Sequence, residues 1–421
     1  MRTGTMRASA PVDHSEVLVR PMTQQPRRRF ADLNPPTRLL CGSGPSNPEP
    51  RVLRALATPL IGQFDPAFTE IMDDVMALGR LVFQTENRRS FPVSGSSRSG
   101  LEAVLASVLE PGDRVVVGNY GRFGDLFCEI ARRYGADVTS IDAEWGTIVE
   151  PDRVVAELKA RPTKLVAIVH ADTSTGILQP LAEIGAACRV YDALLVVDAV
   201  LSIGGCELDV DRWQLDACIG GLQKCLGGPS GMAPLTYNER VEAALHARRS
   251  PPPTNYLDLL QLQAYWSADR LNHHTAPTSM VYALREALRI VDEEGLDARW
   301  MRHRAANAAL VAGLEAMGLE LFGDRAHKAP MITLVRVPEG IDEAAVRGQL
   351  LDDFGIEIMA AFGPLNGLVW RIGLMGYNAR LECAVTVLGA LEHVLSARGY
   401  RAPSGAGQQA ALAHAKGAAV A

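Results

Sequence analysis

Four stretches of this chain are apolar almost without interruption: "RVVVGN" (114–119), "KLVAIVHAD" (164–172), "ALLVVDAV" (193–200) and "ACIGGLQK" (217–224). A strand with one face in water alternates apolar and polar residues, so runs that do not alternate belong to strands covered on both faces. The segments between them have helical spacing. "FGDLFCEIARRYGA" (123–136) is one, with a glycine stop at Gly135. Strand and helix in alternation give an α/β class with a mostly parallel sheet between helical layers. Ligands in such sheets bind beyond the carboxyl ends of the strands. The residues at those ends are the first candidates for function: Asp172 and Thr173, Asp198, and Lys224.

A long helical pattern covers 277–318 and should bend near Gly295. It carries the chain into a second, smaller α/β unit. That unit has strands "MITLVRV" (331–337) and "VWRIGLM" (369–375), and helices "DEAAVRGQLLDDFG" (342–355) and "RLECAVTVLGALEHVLSA" (380–397). The expected division is a large domain over 36–296, a small C-terminal domain over 297–402 and a flexible tail over 403–421. The tail's "GQQAALAHAKGAAVA" reads as a short helix or a frayed end. Residues 1–35 are rich in arginine and proline and lack a core pattern. They read as a disordered arm or as an over-long start before Met22, with an organellar transit peptide as the alternative. No apolar stretch of the kind a secretory signal needs follows Arg27, Arg28 and Arg29.

With 48% hydrophobic and 21% charged residues the composition is that of a globular chain. A net charge of −6 argues against a nucleic-acid partner, which selects for a basic face. No apolar run approaches the length of about 18 residues that a membrane span needs. The seven cysteines are scattered, odd in number and without a CxxC pair. That suggests neither a disulfide framework nor a zinc site, and a reducing, cytoplasmic setting.

Lys224 stands out within this frame. Its neighbours Gly220, Gly221, Leu222, Gln223, Cys225, Leu226, Gly227 and Gly228 carry no charge. Desolvation lowers an amine's pKa toward neutrality, which is a condition for a Schiff-base lysine; a solvated loop lysine is the plainer reading. Asp198 and Lys224 each follow one of two neighbouring strands. A lysine for a covalent anchor, a carboxylate to keep a pyridine nitrogen protonated and a phosphate cup together suit pyridoxal 5′-phosphate. "SGSSRSGLEA" (94–103) offers the cup, with small residues leading into a helix whose first N–H groups face an anion. Singly, a strand-end aspartate is often a helix cap and a Ser/Gly turn often only a turn. The case rests on all three in this order.

The chain resembles the class V (fold type I) aminotransferases of the alanine–glyoxylate transaminase group from about Leu39 to Arg398. The stretches that carry this are "GSGPSNPEPRVLRAL", "VFQTENRRSFPVSGSSRSGLEAVLASVLEPGD", "HADTSTGILQPL", "LLVVDAVLSIGG", "GGLQKCLGGPSGMAP", "NHHTAPTSMVYALREAL", "FGIEIMAAFGP" and "WRIGLMG". The resemblance implies a pyridoxal-phosphate-dependent transferase fold, with a seven-stranded-type sheet in the large domain and a smaller C-terminal α/β domain. It implies that Lys224 anchors the cofactor and shuttles the proton of the substrate's α-carbon, and that Asp198 pairs with the pyridine nitrogen. Phe123, in "YGRFGD", takes the position that stacks on the ring, where the group often has tryptophan. Ser96, Ser97, Arg98 and Gln223 surround the phosphate, and Thr173 lies near the ring edge. Thr275 reaches the phosphate of the partner subunit, so the active unit is a homodimer with shared sites, possibly a tetramer. Arg371 binds the substrate carboxylate through its fork; the alternative, a surface salt bridge, sits badly with the apolar flanks of "VWRIGLMG". A lyase or desulfurase on this fold needs a mobile cysteine, and Cys225 points away from the ring if the strand alternates. His273 and His274 receive no role.

Two places depart from the ordinary alanine or serine enzymes: Gln63 in "IGQFDPAF", and Asn272, where the group usually has tyrosine before "HHT". Two amides suit a donor with a urea-like end, which offers both N–H and C=O. "GQFDPAF", "YGRFG", "IGGLQKCLGGPSGMAPLTYNERV", "NYLDLLQLQAYWS" and "RLNHHTAPTSMVYALRE" closely resemble the (S)-ureidoglycine–glyoxylate transaminases of purine catabolism. This implies a ping-pong transfer of the amino group of (S)-ureidoglycine to glyoxylate, giving oxalurate and glycine. Gln63, and Asn272 of the partner subunit, then hold the ureido group. Two alternatives stay open: an alanine- or serine–glyoxylate aminotransferase, and a pair of amides that only satisfy loop backbone.

Overall fold

The uninterrupted apolar runs become the interior of a seven-stranded sheet. The structure, a computed structural model, describes residues 30–418, so most of the expected arm over 1–35 lies outside the described residues. The strands are β1 (Arg89–Gly95), β2 (Arg114–Asn119), β3 (Asp137–Asp142), β4 (Leu165–Val169), β5 (Leu194–Asp198), β6 (Ala217–Ile219) and β7 (Gly231–Tyr237). Their order is β1-β7-β6-β5-β4-β2-β3, and β7 alone runs against the rest. β4 and β5 are buried along their whole length because helices cover both faces. Helix α1 (Ser97–Val108) leaves directly from the end of β1, and α2 (Arg122–Arg133) from the end of β2. The carboxyl ends of β1, β2, β4, β5 and β6 therefore open on the same edge of the sheet.

One expected strand is shorter than its apolar run. "ACIGGLQK" pairs only over Ala217–Ile219. Gly220 still donates to the Pro234 carbonyl at 2.7 Å, and then the chain turns: Gly228 N–H closes on Leu222 O at 2.9 Å and Gly227 N–H on Lys224 O at 3.1 Å. Lys224 thus stands on a turn beyond the strand. Cys225 is turned into the core, where its Sγ fills the space beside Gly205, so its orientation comes from the turn and not from strand alternation.

The long helical pattern is split as expected. α3 (Thr278–Glu294) and α4 (Leu296–Ala316) meet at Gly295, whose φ of 80° interrupts the helix. Beyond it, β8 (Ile332–Arg336), β9 (Met359–Ala360) and β10 (Val369–Gly373) form an antiparallel sheet in the order β8-β10-β9. It packs with α4, α5 (Glu343–Phe354) and α6 (Leu381–Ser396) around Trp370, Leu310, Leu350 and Leu391. Cys41 belongs to this second core, and Leu39–Leu40 pairs parallel with Ile356–Glu357. Of the two readings of the tail, a short helix or a flexible end, the structure has the helix: Ala406–Ala418 forms helix α7. Ala411 is fully buried, and Gln408 Nε2 donates to Val385 O at 3.2 Å. Small residues permit this docking, since a Cβ on Gly313 would lie 2.7 Å from the Gly407 carbonyl. All seven cysteines are buried free thiols. Among the described residues no helix is long and apolar enough to cross a membrane.

Candidate active site

The strand ends deliver their side chains to one cavity of about 200 Å³. Ser96, Ser97, Arg98, Phe123, Thr173, Asp198, Gln223 and Lys224 all line it, joined by Leu101, Leu126 and Val200. Residues up to 128 positions apart, from Ser96 to Lys224 (224 − 96 = 128), meet because each follows a strand that ends on this edge.

At the β1–α1 junction Ser96 is the N-cap of α1, yet its hydroxyl makes no capping bond. The first N–H groups of a helix have no intrahelical acceptor. Here they face a cavity lined by two serine hydroxyls and Arg98, which is an anion-binding arrangement. The Gln223 amide bonds the Ser97 hydroxyl at 3.1 Å and so ties the lysine turn to this helix start. Gly221 makes the approach possible: a Cβ there would lie 2.6 Å from Ser97 Oγ and 2.7 Å from Val200 Cγ1.

Lys224 is half-buried, and its amine donates to the Ser43 carbonyl. A Cβ on Gly44 would fall onto the lysine's Nζ, so the loop before cis-Pro45 closes over it. Burial first, then the Arg371 cation, lowers the amine to about 8, against the opposing fields of Asp198 and Asp172. Asp198 accepts from Val200 N–H at 2.8 Å through Oδ1, and its Oδ2 has no partner among the described residues. Burial raises this carboxyl to about 7, helped by the charge of Asp172 and opposed by the Val200 bond and Lys224. The site therefore holds an amine that reaches its neutral form near physiological pH, and a carboxylate oxygen at the cavity that lacks a donor among the described residues.

Arg371, on β10, is 3% exposed. Its Nε donates to Ala360 O at 2.8 Å and its Nη1 to Thr173 O at 3.0 Å, and the guanidinium lies 4.3 Å over the Phe362 ring. Nη2 donates to nothing among the described residues. Burial lowers this guanidinium to about 10 and the Asp172 carboxylate opposes the shift. Arg371 is no surface salt bridge: it is anchored by backbone carbonyls with part of its fork left over.

A family model described as aminotransferase class-V matches residues 58–374. The chain belongs to the class-V aminotransferase family. The (S)-ureidoglycine–glyoxylate transaminase of Bacillus subtilis (strain 168) is 52% identical over 399 residues, covering 90% of this chain and 96% of that protein. The alanine–glyoxylate aminotransferase of Drosophila melanogaster is 37% identical, covering 86% and 93%. The crystal structure of the ureidoglycine–glyoxylate aminotransferase from Bacillus subtilis superposes with a TM-score of 0.91 at 54% identity, covering 92% of this chain and all of that one.

Four residues that the sequence placed at the site of this class-V aminotransferase do not line the cavity of their own chain: Gln63, Asn272, Thr275 and Arg371, of which Arg371 still reaches a lining residue through the Thr173 carbonyl. Gln63 Nε2 donates to Asn272 Oδ1 at 3.0 Å, and Gln63 Oε1 accepts from Ala276 N–H at 2.6 Å. The two amides form one unit within a chain. The bond places both amides together, outside the cavity of their own chain. Asp172 and Ser174 were not assigned a role from sequence. Asp172 was visible at a strand end, but its partner Phe123 lies across the fold.

Proposed function

We propose that this protein transfers the amino group of (S)-ureidoglycine to glyoxylate, giving oxalurate and glycine, with pyridoxal 5′-phosphate as cofactor. The residues fit that group on two features. The unpartnered Asp198 Oδ2 faces the cavity and calls for a donor such as a pyridinium N–H, and the start of α1 offers N–H groups without an intrahelical acceptor and the uncapped Ser96 hydroxyl for a phosphate. Ser96, Ser97, Arg98 and Gln223 would hold the phosphate, Phe123 and Thr173 the ring, and Lys224 the aldehyde carbon. When bound, pyridoxal phosphate supplies an electron sink conjugated to the substrate's α-carbon. Lys224 Nζ takes the proton leaving that carbon, for which its lowered pKa suits it. Arg371 holds the carboxylate of the donor, then that of glyoxylate, with its free Nη2.

The observation that carries the choice of donor is the Gln63–Asn272 amide pair. Asn272 Nδ2 and one N–H of Gln63 Nε2 have no partner among the described residues, and a ureido carbonyl would accept from them. The relative at 52% identity supports the same reading. The pair lies outside its own chain's cavity, beside exposed Leu60, Phe64 and Leu271. This supports a homodimer in which Gln63, Asn272 and Thr275 complete the other subunit's site. Buried thiols throughout fit a cytoplasmic setting. One observation favours the alanine or serine reading: Gln63 Oε1 is already spent on Ala276.

A half-reaction separates the two. The yellow, cofactor-loaded enzyme is mixed with freshly generated ureidoglycine, L-alanine or L-serine, and loss of the visible band is followed. Fast bleaching by ureidoglycine is expected. Bleaching by alanine or serine with none by ureidoglycine would overturn the donor and leave the cofactor in place.

A further inference from the structure

Asp172 is fully buried and is not needed as a base, an anchor or a ring partner. Its contacts are all to elements that carry other site residues. Oδ1 accepts from Ser174 N–H at 2.6 Å and from Ser174 Oγ at 2.5 Å. Oδ2 accepts from Phe123 N–H at 3.3 Å. Ser174 Oγ in turn accepts from Arg122 N–H at 2.9 Å. Helix α2 begins at Arg122 behind Gly121, which has no side chain to cap it. Its first two N–H groups are therefore taken from across the fold, by Ser174 and Asp172. The fit leaves no room at Gly121, where a Cβ would lie 2.6 Å from both Asp172 Oδ2 and Ser174 Oγ. On the other side, the residue after Asp172 presents its carbonyl to Arg371 Nη1 at 3.0 Å.

We propose that Asp172 is a positioning residue: one buried carboxylate ties the turn that carries Phe123 to the turn that carries Thr173, whose carbonyl holds Arg371, so that the ring wall and the carboxylate clamp are set together. An amide of the same shape would keep the Ser174 bonds through its oxygen, set an N–H against the Phe123 N–H, and lose the field. Burial acts against the Arg371 cation, and Asp172 is the charge that opposes it. Burial likewise acts against the Asp172 anion, while Ser174, the Phe123 N–H and Arg371 oppose that. The inference rests on the reading that Arg371 takes the carboxylate of both substrates.

The test uses the cofactor-loaded enzyme and acetate as an unreactive monocarboxylate competitor. Asp172→Asn is expected to weaken acetate inhibition about tenfold and to raise the KM for glyoxylate in the same proportion, with kcat changed by less than about threefold. Ser174→Ala keeps the charge and removes one hydroxyl of the cap, and is expected to weaken acetate about threefold. Acetate affinity within about twofold of wild type in a folded, coloured Asp172→Asn enzyme overturns the proposal. If Asp172→Asn does not fold, unchanged acetate affinity in Ser174→Ala overturns it instead. Failure of the underlying functional reading looks different: the wild-type enzyme would bind acetate and turn over no amino donor.

Discussion

Asp198 and Lys224 are both held against the charge state that water would give them. Asp198 titrates at about 7 in the folded chain against an ordinary 3.8. Between those values the folded protein binds more protons than the unfolded one, so stability falls as pH rises through that window. Lys224 is the mirror case: at about 8 against 10.5 it binds fewer protons folded than unfolded, and stability rises across that interval. In the cofactor-free protein, Asp198→Asn should remove the first effect. Its thermal midpoint, compared with wild type, should gain steadily from about pH 4 to about pH 7 and hold its lead above. Parallel curves from thermal melts across that range would mean that Asp198 is not desolvated as described. The two residues were legible in the sequence because each follows an apolar run and a Gly-rich turn exposes the second. Asp172 was legible as a strand-end candidate but its role was not, because the Phe123 N–H that it accepts lies 49 positions away and a hydrogen bond across that separation leaves no periodic trace.

At the level of elements, the site depends on how closely the lysine turn approaches the start of α1. Gly221 is the contact point, between Ser97 Oγ and Val200. Gly221→Ala should force these apart, at an overpacking cost of about 1–3 kcal/mol. Since the displaced group is the serine proposed to hold the phosphate, the loss should appear in cofactor affinity. Titrating the cofactor-free variant with pyridoxal phosphate by absorbance should give a Kd about tenfold weaker than wild type. An unchanged Kd would show that α1 moves freely and that its start does not set the phosphate. The same turn marks where sequence reading fell short. An apolar run through Lys224 has the composition of a strand, and periodicity cannot say that pairing stops at Ile219. The docking of helix α7 was not readable for a related reason: its alanines and glycines give a weak apolar stripe, and the docking comes from the close passage of Gly407 past Gly313. The parallel strands and the break at Gly295 were readable because burial on both faces and a glycine stop each write directly into residue type.

At the scale of the whole molecule, the cavity of one chain holds the residues proposed for the cofactor, and the Gln63–Asn272 pair lies outside it. If the pair serves a second subunit, a site is complete when Lys224 comes from one chain and Asn272 from the other. Two inactive or impaired variants then repair each other. Lys224→Ala should abolish turnover, and Asn272→Ala should weaken use of ureidoglycine. When the two chains are unfolded together and refolded as a random mixture, half of the dimers are mixed. Each mixed dimer has one site with an intact Lys224 facing an intact Asn272, so activity toward ureidoglycine should reach about a quarter of wild type. The comparison is with the same variants refolded separately and then combined, which should show only the residual activity of Asn272→Ala. Equal activity in the two preparations would mean that the amide pair acts within its own chain or not at all. In that case the exposed Leu60, Phe64 and Leu271 would need another explanation, and the donor would have to be selected by the residues that line the cavity itself.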